Sequence, residues 1–95
     1  MNIEHILIGC IGVDSGQIIM GDPWTMQKHY GDDGSDYSDA TTASQAGGGV
    51  VGKFPHIDNT GMAVVSPTAT GDGIYPVFQV VEDGRLVGLF IDLES

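Results

Sequence analysis

Apolar residues along this chain come in short runs, each ended by glycine, proline, aspartate or asparagine. Residues 3–8 (IEHILI) form the first run, which extends through Cys10, Ile11 and Val13. Residues 17–20 (QIIM), 49–54 (GVVGKF) and 62–66 (MAVVS) follow, then 75–82 and 85–93. Few windows repeat apolar residues at i, i+3 and i+4. Short apolar runs between turn formers predict strands. The pattern therefore predicts an all-β domain: a small sandwich or barrel of five to seven mostly antiparallel strands, with one long acidic loop.

The residues between the runs sharpen the picture. Asp14-Ser15-Gly16 predicts a turn, and Gly9 and Gly12 predict bulges or close packing. Gly21-Asp22-Pro23 ends the second strand, because proline has no N–H for a ladder. Residues 55–61 close on Asn59-Thr60-Gly61, and residues 67–73 are again rich in turn formers. Asp83-Gly84 between two apolar runs predicts a two-residue type I′ hairpin, whose central residues both take positive φ. Such a loop sets Glu82 opposite Arg85, Val81 opposite Leu86, Val80 opposite Val87 and Phe78 opposite Leu89. Both faces of that hairpin are then largely apolar. A hairpin of this kind belongs where both faces are covered.

Residues 24–48 break the pattern. Residues 24–30 allow one or two helical turns, and GDDGSDYSDATTASQAGGG follows with no hydrophobic period. This segment reads as a long acidic loop within a single domain spanning residues 1–95. Loops of such length are commonly functional or disordered. Trp24, Tyr30 and Tyr37 are its aromatic residues and its candidate partner contacts. Trp24 also fits a plug that closes the end of the core. Asp32, Asp33, Asp36 and Asp39 offer oxygen ligands of the kind calcium takes. The spacing is not an EF-hand: Tyr37 stands where that loop needs glycine, and Ala43 where it needs glutamate. Two readings stay open, a solvated acidic loop and a cation site of another geometry. Calcium is the one cofactor the sequence suggests.

Charge changes the picture more than composition does. The chain of 95 residues carries 13 acids against Lys28, Lys53 and Arg85, for a net charge of −10. Phosphate binding releases counterions through Lys and Arg, so neither direct nucleic-acid binding nor an anionic membrane is expected. Acidic surfaces suit cations, basic proteins or solubility. Hydrophobic residues reach 41%, enough for a core. Cys10 is the one cysteine, so no internal disulfide forms, and its apolar run predicts a small buried hydrophobe. The opening residues lack the basic start of a signal peptide, and no window has the length of a membrane span. A soluble cytoplasmic protein is the expectation.

Candidate chemistry is sparse. His5, His29 and His56 show no metal-ligand spacing. Ser15 and Ser66 have no nucleophile elbow around them, and a serine nucleophile needs an oriented base. Gly71-Asp72-Gly73 lacks the lysine and the helix of a phosphate loop. These turns predict no catalytic residue by themselves.

VDSGQIIMGDP (residues 13–23) and GDGIYPVFQVVEDGRLVGLFID (residues 71–92) together resemble a family of small bacterial and phage proteins of unknown function. Its members combine a V-D-S-G segment ending in D-P with a G-D-G-x-Y-P-V strand and a D-G-R hairpin. The resemblance covers roughly a third of the chain and implies a β fold with no activity to carry over. Three readings follow. The leading one is a non-enzymatic module that binds a protein or self-associates, as a phage accessory or virion-associated protein. The second is a small hydrolase or ligand-binding protein with Asp14, Ser15, Asp22 and Asp72 gathered at one end of the fold. The third is an acidic inhibitor that mimics nucleic-acid charge.

Overall fold

Each apolar run forms a strand in the computed structural model, which describes residues 2–24, 35–54 and 56–94, with the backbone alone for residues 35–38. The six strands are β1 (Ile3–Val13), β2 (Gln17–Gly21), β3 (Gly49–Lys53), β4 (Gly61–Pro67), β5 (Gly73–Glu82) and β6 (Arg85–Ile91). All pairings are antiparallel, in two three-stranded sheets ordered β1-β5-β6 and β2-β4-β3. The all-β class and the strand number agree with the sequence pattern. The strands divide between two sheets and do not close into one barrel. The chain forms two units, one of residues 1–16 with 69–95, the other of residues 17–68.

The second unit contains what the sequence pattern missed. Within the segment read as loop, Ser35–Gln45 is a helix, α1. Its inward positions are the small residues Ala40 and Ala43, which pack with Val51, Val65 and Ile19. Small residues give almost no hydrophobic period, so the helix was silent to a search for amphipathic spacing. Its stop signal is plain once the structure is known. Gly48 N–H donates to Ala43 O at 3.0 Å, and Gly47 N–H to Ser44 O at 3.0 Å. This is the paired closure that left-handed glycines allow at a helix C-terminus, with φ of 100° at Gly47 and 115° at Gly48. Val65, on the central strand, is only 1% exposed beneath the helix. Gln17 Nε2 adds a 3.1 Å hydrogen bond to Thr41 Oγ1, fastening β2 to α1.

The first unit is the sheet β1-β5-β6 with its turns. Asp83 and Gly84 have φ of 50° and 80°, the geometry of the predicted hairpin. Glu82 pairs with Arg85 and Val81 with Leu86, as expected. Beyond them the predicted register fails. Val80 pairs with Gly88, Gln79 with Leu89 and Phe78 with Phe90, because Val87 is an extra residue bulged out of β6. The bulge moves Phe90 onto the face of Phe78, where the two rings lie 6.2 Å apart. A matching bulge at Ile8 interrupts β1, between the pairs Leu7–Phe78 and Gly9–Val77.

Candidate interaction surface

Antiparallel partners project to the same side of a sheet, so the register assigns the faces of β1-β5-β6. One face carries Ile3, His5, Leu7 and Cys10 from β1, with Ile74, Phe78 and Val80 from β5 and Phe90 from β6. The opposite face carries Ile6 and Ile11, then Val77 and Val81, then Leu86, Leu89 and Ile91. Neither face is the polar one. An antiparallel sheet with one wet side alternates apolar with polar residues; here the alternation is absent.

Each face exposes large apolar side chains, although Val13 and Tyr75, at one end of the Leu89 face, are buried. Leu7 is 57% exposed on one face and Leu89 54% on the other. Ile3, Ile74 and Phe90 accompany Leu7, while Ile6, Ile11 and Leu86 accompany Leu89, and the bulged Ile8 and Val87 are exposed too. This corrects two sequence expectations. The hairpin is expected to be covered on both faces, yet β6 is an edge strand of its sheet and its Leu86, Val87, Leu89 and Phe90 are exposed. Cys10 was predicted to be buried and is exposed, because it stands on one of these uncovered faces.

The sheet is nevertheless well fixed. Phe90 packs against Phe78 and against His5, two strands away, with both centroid separations 6.2 Å. At one end, Asn2 N–H donates to Asp83 Oδ1 at 3.0 Å, and Asp83 N–H donates to Asn2 O at 2.9 Å. At the other end, Tyr75 is 1% exposed. Its hydroxyl donates to Gly71 O at 2.5 Å and accepts from Thr70 Oγ1 at 2.7 Å. These ties hold the turns on the sheet, so the open faces belong to an ordered surface.

The residues singled out in the sequence are distributed elsewhere. Trp24 is 69% exposed, so it does not plug a core. Asp22 Oδ1 accepts from Trp24 N–H at 3.3 Å, a cap on the helical backbone of Pro23 and Trp24. Tyr30, Asp32 and Asp33 lie outside the described residues, as does His29; of Tyr37 and Asp36 only the helical backbone is described. Asp39 is an exposed residue of α1. Among the described residues, no group of three or more His, Cys, Asp or Glu side chains could hold a metal ion.

The turn acids Asp14, Asp22 and Asp72 are placed as follows. Asp72 and the turn at Gly16 are neighbours: a Cβ on Gly16 would lie 4.0 Å from Asp72 Oδ1. Asp14 and Ser15 precede that glycine. Asp22 belongs to the second unit. Ser66 Oγ donates to Pro67 O at 3.0 Å, a local bond that brings it no base. His5 stacks on Phe90, and the ring of His56 lies 6.5 Å from that of Phe54. No nucleophile–base pair therefore appears among the described residues.

Among the described residues, a cleft of about 500 Å³ lies in the second unit where the end of α1 meets β3 and the β3–β4 turn. Gly48, Lys53, Phe54, Asp58, Asn59 and Thr60 are among its walls. The turn is braced by Phe54 N–H to Thr60 O at 3.1 Å and by the Thr60 hydroxyl to Asp58 O at 3.2 Å. Its wall groups mix one cation, one carboxylate and neutral amides, a set that favours no one ligand class.

No helix among the described residues is long and apolar enough to cross a membrane. No family model matches the chain, and no curated protein or solved structure matches it either.

Proposed function

We propose that this protein is a non-enzymatic protein-binding module whose working surface is the β1-β5-β6 sheet. One observation supports the reading above the others: a fixed sheet exposes large apolar side chains on both faces. A contiguous apolar patch beyond a few hundred Å² is rare on a monomer and marks an interaction site. The apolar strands of this hairpin expose Leu86, Val87, Leu89 and Phe90 within their own sheet. A polypeptide partner is the cover that such side chains suit.

The charge-mimic reading has less support, because β1, β5 and β6 carry only Glu4, Glu82 and Arg85, and Glu82 faces Arg85. The acidic residues lie mainly off this surface. A role as a phage accessory or virion component fits a module of this type, and the segments around Val13 and Gly71 favour it.

Photo-cross-linking tests the proposal. A photoreactive residue at Leu7 or Leu89 is expected to trap a polypeptide in cells, while one at the exposed Asp58 of the second unit does not. Absence of any polypeptide adduct at both sheet positions would overturn the reading.

A further inference from the structure

We draw no further inference here: the strongest candidate, the cleft where the end of α1 meets β3 and the β3–β4 turn, is walled by the exposed polar side chains of Lys53, Asp58, Asn59 and Thr60, whose one cation and one carboxylate select no ligand class.

Discussion

His5 and Phe90 lie on opposite edge strands of one sheet, yet their rings are stacked across the central strand, 6.2 Å apart and inclined by 26°. The contact exists because the Val87 bulge turns Phe90 onto the face that His5 shares with Phe78. It joins the first and last strands of the chain without covering either ring. A double-mutant cycle with His5→Ala and Phe90→Ala is expected to give a coupling of about 0.5–1 kcal/mol in urea unfolding. Additive effects would show that the stacking contributes nothing.

Deleting the bulge tests the register. Removing Val87 takes out only the extra residue, so Val80 still pairs with Gly88, Gln79 with Leu89 and Phe78 with Phe90. Stability is expected to change by less than about 1 kcal/mol, since no side chain beyond the hairpin turn changes face. A loss of several kcal/mol, as when every side chain changes face, would contradict this register.

Tyr75 locks the turn before its strand through two hydroxyl hydrogen bonds, to Gly71 O and from Thr70 Oγ1. Tyr75→Phe keeps the buried ring and removes both hydrogen bonds. The expected loss is about 1–3 kcal/mol by denaturant unfolding. Amide exchange should quicken in residues 70–73 before it changes in β6.

Gly48 ends the helix and also lets the chain pass close to β4. Its φ is 115°, and a Cβ there would lie 3.1 Å from Val65 O. Gly48→Ala is expected to destabilise the second unit by about 1–2 kcal/mol from the left-handed backbone alone, with a loss of helical circular dichroism. Val65→Ala removes two buried carbon atoms beneath the same helix and is expected to cost about 2 kcal/mol.

The strands were legible because their signals are local. Asp83-Gly84 announced the hairpin, and glycine, proline and aspartate marked the other ends. Helix α1 was not legible, because Ala40 and Ala43 bury a face too small to stand out among serine and threonine, although Gly47-Gly48 carried its stop signal. The Val87 bulge was not legible either, since two-residue hairpins propagate a regular register and only the packing of Phe90 on Phe78 and His5 departs from it. The aromatic and acidic residues of the long segment drew attention by type. The proposed surface lies instead in the apolar strands, which read as core although Leu7, Leu86, Leu89 and Phe90 are exposed.

Solvent footprinting in cells that contain the protein tests the central claim most directly, by measuring labelling of Leu7, Leu89 and Phe90 relative to Ile57, after correction for intrinsic reactivity. In the single chain these side chains have similar exposure, between 47% at Phe90 and Ile57 and 57% at Leu7. If the sheet is an interface, the three sheet residues will be labelled several-fold less than Ile57. Equal labelling of all four would show that the sheet faces water, and would contradict the account.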